Sequence, residues 1–159
     1  VFYSLQMAHD NNVTTILNPA PAAPIDQNIF PLIDYFTPNE TEASFYVNHK
    51  VENESDAKKA SNQFLNLGIK NIIITMGEKG AYFANKDEQF HVPIVNLQDP
   101  VVDTTGAGDA FNAGFAVALT EKQNIRNAVK FASATAGLST TRIGTAKSMP
   151  FRDEIEKLL

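Results

Sequence analysis

Residues 71 to 77 read Asn-Ile-Ile-Ile-Thr-Met-Gly, a continuous apolar run closed by a glycine. A strand with one wet face alternates polar and apolar residues. A strand without that alternation is covered on both faces, the condition of a parallel strand lying between helices. The preceding segment, 55 to 68, fits such a covering helix: Ser55 and Asp56 stand at its start as capping residues and Gly68 closes it. Upstream the theme repeats twice. The β-branched run VTTILN (13 to 18) is stopped by PAPAAP. IDYFTPN (33 to 39) breaks at Pro38 and enters a helix whose first turn carries Glu40, Thr41 and Glu42, placing acids at the positive end of the dipole. Downstream, 77 to 93 alternates and turns, which predicts a hairpin-like pair. Helical patterns then cover 107 to 120, 124 to 140 and 150 to 159. Strands alternating with helices predict an α/β fold with a layered, mostly parallel sheet.

The 159 residues suffice for one domain with a hydrophobic core, and 43% apolar with 19% charged residues is a globular composition. The net charge of −5, with no basic cluster larger than Lys58-Lys59, argues against nucleic acid as a partner. The chain has no cysteine, which removes disulfides and thiolate metal sites. No run approaches the roughly 18 apolar residues of a membrane span, and no signal-peptide pattern opens the chain. These features set the expectations of no membrane partner and a cytoplasmic location. The chain starts Val1-Phe2-Tyr3 in what reads as mid-helix, without Met or a cap, so the expectation is the C-terminal part of a longer protein. His9, His49 and His91 lie far apart and lack metal-ligand spacing.

The densest chemistry lies at 101 to 115, VVDTTGAGDAFNAGF. No Walker A string exists, and the dinucleotide pattern G-x-G-x-x-G/A fails because Phe111 stands where a small residue is required. Even so, Gly106-Ala107-Gly108 lets backbone N–H groups approach a ligand closely. Between Ala110 and Leu119 only Asn112 is polar, which predicts a helix buried nearly all round. Its N-terminus suits an anion, because free N–H groups and the dipole both favour negative charge. Asp109 has two readings. As a first-turn acid it gains about 0.3–1 kcal/mol from the dipole. As a general base beside the anion turn it would take a proton from an alcohol attacking a bound phosphoryl group. Pattern alone leaves these balanced.

DTTGAGDAFNAGF resembles the C-terminal signature of the ribokinase-like (PfkB) carbohydrate kinases. Four further segments agree in order: LNPAPA at 17 to 22, TPNETEA at 37 to 43, ITMGEKGAYF at 74 to 83 and TRIGTAKSMP at 141 to 150. The resemblance covers nearly the whole chain and implies a three-layer, Rossmann-like, mostly parallel sheet of the ribokinase-like kind, truncated at its N-terminus. It implies an ATP-dependent sugar kinase, with segments most similar to those members that phosphorylate D-ribose to ribose 5-phosphate. Asp109 matches the family's base, and Gly106, Ala107 and Gly108 match its anion hole. Asn39 and Glu42 match N-x-x-E, which acts on Mg²⁺ and the phosphates in part through water. First-turn capping is the alternative role for Glu42.

Thr75, Gly77, Glu78, Lys79 and Gly80 match the loop along the nucleotide. Ser133 falls where members touch adenine, often with a larger polar side chain. A monovalent-cation site, usually for K⁺, is matched on one side by Asp103 and the carbonyl of Thr105. On the other side stand the carbonyls of Ser139, Arg142 and Gly144 and the hydroxyl of Ser148. Asp103 has an alternative reading as a strand-end residue bonding nearby N–H groups. The resemblance further implies a homodimeric full-length protein, a sugar-binding half and lid outside this chain, and little or no turnover by the chain alone. Other readings are a fructokinase, ketodeoxygluconate or nucleoside kinase, or a nucleotide-binding module without transfer activity. A dinucleotide-dependent oxidoreductase is disfavoured by Phe111.

Overall fold

The computed structural model describes all 159 residues. The chain divides into two compact units: Val1–Gly77 with Tyr82–His91, and Glu78–Ala81 with Val92–Leu159. No helix is long and apolar enough to cross a membrane.

The first unit opens with α1 (Phe2–Asp10) and β1 (Ile16–Leu17), followed by a 3-10 turn at Gln27–Leu32 and β2 (Tyr35–Phe36). Then come α2 (Glu40–Val47), α3 (Glu54–Asn66) and β3 (Asn71–Thr75). A 3-10 turn at Gly77–Lys79 leads to β4 (Ala81–Asn85) and β5 (Gln89–Val92). The sheet order is β1-β2-β3-β4-β5, and β1, β2 and β3 run parallel, with Ile16 opposite Tyr35 and Tyr35 opposite Asn71. The connections from β3 to β4 and from β4 to β5 are too short for a crossover, so these strands return as the expected hairpin. The apolar run holds: Ile72, Ile73 and Ile74 are fully buried. Phe36 is the centre of the core, with the ring of Phe64 at 5.2 Å and that of Tyr46 at 5.8 Å, both edge-on.

Asp34 sets the register of the parallel strands. Its carboxylate accepts the Thr15 N–H at 2.9 Å and the Lys70 ammonium at 2.7 Å. Its carbonyl takes the side chain of Asn71 at 2.9 Å. One residue thus ties together the entrances of all three parallel strands.

The second unit holds α4 (Ala107–Thr120), α5 (Ile125–Ser139), a 3-10 turn at Ala146–Ser148 and α6 (Arg152–Leu158). α5 starts at Asn124, whose side chain accepts the Asn127 N–H at 2.9 Å. α4 and α5 pack closely because Gly114 has no Cβ: one built there would lie 2.6 Å from Thr135 Oγ1 and 2.9 Å from Thr135 Cβ. Gly137 does the same for the side chains of Val95 and Leu97.

Several expectations are corrected. The strands expected at 13 to 18 and 33 to 39 shrink to two residues each. The cap of α3 is Asn53, whose side chain accepts the Asp56 N–H at 3.0 Å, so Ser55 and Asp56 lie inside the first turn. α4 is not buried all round. Asp109, Ala113 and Val117, spaced by four, form an exposed face, whereas Ala110, Phe111, Gly114, Phe115 and Ala118 are buried.

Candidate active site

In the first unit the chemistry gathers at the carboxyl ends of the parallel strands, where open α/β sheets bind ligands. Asn18 follows β1, and its side-chain amide donates to the Thr37 carbonyl at 2.8 Å, just past β2. The Thr75 N–H donates to the Pro38 carbonyl at 3.0 Å, and Asn39 forms an isolated parallel bridge with Thr75. These bonds extend the β2–β3 pairing by a few residues and bring Asn39, Thr75 and Gly77 to one edge.

Asn39 then caps α2. Its Oδ1 accepts the Glu42 N–H at 2.8 Å, and Glu42 Oε2 accepts the Asn39 N–H at 2.8 Å. N-x-x-E is therefore a capping box in this chain, with Glu42 only 7% exposed. The capping role of Glu42 is real. Its second carboxylate oxygen has no part in the box.

In the second unit, Glu78 and Lys79 are exposed and Gly80 is constrained. The φ of Gly80 is +88°, and a Cβ there would stand 2.1 Å from the Val92 carbonyl oxygen. Only glycine fits.

The glycine turn is built from Asp103 upward. Asp103 Oδ1 accepts the Thr105 N–H at 2.9 Å, and Oδ2 accepts the Gly144 N–H at 3.0 Å. These amides, that of Gly144 first, hold the Asp103 carboxyl below its ordinary range. Asp103 thus bonds N–H groups as its alternative reading expects, although no strand ends at this residue. The N–H groups of Val102 and Asp103 both donate to the Thr140 carbonyl, at 2.8 and 3.1 Å.

Gly106 is the N-cap of α4 at φ +79°, and no side chain caps this helix. A Cβ on Gly106 would lie 3.1 Å from the Thr145 methyl. On Gly108 it would meet nothing within 4 Å. Ala107 N–H donates to the Thr104 carbonyl at 3.2 Å. Asp109 follows, exposed in the first turn.

Ser139 and Ser148 are buried, and the Ser148 hydroxyl donates to the Thr145 carbonyl at 2.6 Å, which leaves its oxygen able to accept. The Ser139 carbonyl accepts the Arg142 N–H only loosely, at 3.4 Å. Ser133 Oγ is buried in α5 without a hydrogen-bond partner. Asp103, Thr105 and Gly144 thus form one bonded group in the second unit, and the 106 to 108 turn and Asp109 follow it directly in the chain. Asn39, Glu42 and Thr75 form another in the first, with Gly77 two residues beyond Thr75. Thr140, Thr145, Asn18 and Glu154, which holds the Arg142 side chain, were not singled out from sequence. For Asn18 the signal was present, an asparagine closing a β-branched run before proline.

A family model described as pfkB family carbohydrate kinase matches residues 4–152. A ribokinase of Staphylococcus aureus is 36% identical over 159 residues, covering 99% of this chain and 52% of that protein. Among solved structures, a ribokinase from Thermotoga maritima is 42% identical with a TM-score of 0.85, over 98% of this chain and 52% of its own. An Arabidopsis thaliana ribokinase complexed with ribose and ATP is 32% identical with a TM-score of 0.91, over 97% of this chain and 50% of its own. The chain spans about half the length of the relatives it matches. Five ordered segments, the parallel strand ends and the glycine turn agree with these matches, and the chain belongs to the pfkB family of carbohydrate kinases.

Proposed function

We propose that this chain carries the nucleotide-binding and phosphoryl-transfer residues of an ATP-dependent sugar kinase that makes ribose 5-phosphate from D-ribose. The sugar-binding half and lid belong to the rest of the protein, so the chain alone turns over little or nothing. The observation that carries the reading is Gly108 beside Asp109. No neighbouring atom of the chain requires glycine at 108, and no side chain caps the helix, so the small residue and the uncapped helix start serve a ligand that comes close. ATP as that ligand is supported by the likeness to the Arabidopsis enzyme.

In this reading Asp109 takes the proton of the sugar hydroxyl whose oxygen attacks the γ-phosphorus, and the Gly106–Gly108 amides face the charge that develops. Asn39, Thr75, Gly77, Glu78, Lys79 and Gly80 bind the nucleotide. Ser133 is the residue assigned to the base, although its hydroxyl oxygen is buried in the chain.

Mg²⁺ keeps waters and phosphates in its shell and needs one carboxylate nearby; Glu42 and Asn39 would hold it, in part through water. It would neutralise phosphate charge when bound. One carboxylate with carbonyls of Thr105, Ser139, Arg142 and Gly144 and the Ser148 hydroxyl is a hard oxygen set of low charge, suited to K⁺.

The test is Asp109→Asn in the full-length protein, assayed with ATP against a panel of sugars and nucleosides. The expected result is ribose as the favoured acceptor and a kcat loss of about 10²-fold or more with nucleotide affinity kept. Near wild-type kcat would remove Asp109 as base and favour a binding module. A different preferred acceptor would move the protein to another kinase of the family.

A further inference from the structure

α6 is short, yet charged contacts link it to both ends of α4. At the far end Arg152 pairs with Glu121, which follows α4, and its guanidinium lies 5.2 Å from the centre of the Phe131 ring in α5. At the near end the link is indirect. Both guanidinium nitrogens of Arg142 engage Glu154, one of them at 3.3 Å. Glu154 Oε2 also accepts the Phe151 N–H at 2.7 Å, so its carboxylate is fixed to the start of α6.

Arg142 lies in the segment that touches the glycine turn at three points. The Thr140 carbonyl holds Val102 and Asp103, the Gly144 N–H holds Asp103, and the Thr145 methyl rests on Gly106. Apolar packing does not anchor this segment at Ile143, which is 81% exposed. A two-point Arg–carboxylate contact fixes direction as well as distance. A half-exposed surface pair of this kind adds little stability. Its consequence is therefore geometric.

We propose that Glu154 is a positioning residue for the glycine turn. It holds Arg142, and thereby the 140 to 145 segment, so that Gly144 and Thr145 set the carboxylate of Asp103 and the backbone of Gly106. The direction of the Gly106–Gly108 amides then depends on a side chain in the C-terminal helix. The effect on catalysis rests on the phosphoryl-transfer role proposed above for the turn. The mechanical coupling does not.

The experiment compares Glu154→Gln, Arg142→Lys and the double variant in the full-length protein. Amide hydrogen exchange is followed in peptides spanning 103 to 108 and 140 to 148, alongside kcat and KM. The expected result is faster exchange, about fivefold or more, in both peptides and not in α2 or α3. With it kcat falls about tenfold, of the order a small misplacement causes, while the sugar KM changes little. The double variant matches the singles, as residues acting through one contact should. Arg142→Lys keeps the charge and loses the fork, so it tests the idea even if Glu154→Gln folds poorly. Unchanged exchange at 103 to 108 overturns the proposal, whatever happens to melting temperature. Faster exchange with unchanged kcat overturns it if Asp109→Asn is inactive. If Asp109→Asn is active, the coupling stands and the phosphoryl-transfer assignment fails.

Discussion

Gly106 and Gly108 stand two residues apart and are glycine for different reasons. Gly106 needs a left-handed φ and lies under the Thr145 methyl, so an L side chain there is strained and crowded. Gly108 has ordinary helical surroundings and open space. Gly106→Ala should therefore lower thermal stability by about 1–2 kcal/mol. Gly108→Ala should leave stability unchanged or raise it by up to about 1 kcal/mol, while transfer falls about tenfold or more as the Cβ meets the ligand. Melting curves and ATP kinetics on the two variants check this, and a Gly108→Ala enzyme of full activity would show that nothing approaches the turn.

Asp34 carries a second expectation at this scale. Burial alone would raise its carboxyl, but hydrogen bonds from Lys70 and Thr15 outweigh burial and hold it below 3.8. A depressed carboxyl stabilises the fold above its unfolded value and loses that contribution as pH falls through the folded one. Urea midpoints from pH 6 to pH 2.5 should thus drop more steeply in the native chain than in Asp34→Asn. Parallel curves would show that the Asp34 contacts contribute nothing.

At the scale of elements, the crossing of α4 and α5 fixes where the glycine turn points, and Gly114 sets how close the helices come. A methyl at 114 meets Thr135 Oγ1 at 2.6 Å and Ala132 Cα at 3.2 Å, atoms on or next to backbone. Gly114→Ala should cost about 1–3 kcal/mol by overpacking, read as a fall in melting temperature; an unchanged value would mean the helices can part freely. Both helices were legible in the sequence almost to the residue, 107 to 120 and 124 to 140 against Ala107–Thr120 and Ile125–Ser139, because long apolar periodicity is local. β1 and β2 were less legible. Their apolar runs extend beyond the two residues each that the ladder pairs, and pairing is decided by a neighbour far away in the chain. The Gln27–Leu32 turn was missed because Ile29, Phe30 and Leu32 around Pro31 carry no helical period.

Over the whole chain, large apolar side chains remain in water. Phe2 is 54% and Tyr3 74% exposed in α1, while Val101 and Val102, before the glycine turn, are each 55% exposed. β1 also ends the sheet with one edge unpaired. Such surfaces mark places where other polypeptide binds. The isolated 159-residue chain should therefore self-associate at micromolar concentrations, measured by light scattering against concentration. A monodisperse monomer would mean that these residues are tolerated in water.

Read locally, the sequence determined the α/β alternation, the strand at 71 to 75 with its buried isoleucines, the glycine turn with its acid at 109, and the family. Each of these is a pattern of neighbours in the chain. Only the tertiary structure decided that Glu42 closes a capping box, that Asp103 receives an amide from Gly144, and that Glu154 reaches Arg142. Apart from the capping box, these bonds join distant residues. Even the box depends on side-chain rotamers, and no residue type or spacing declares which available partner a polar atom takes. That choice follows from where the folded backbone leaves each donor and acceptor.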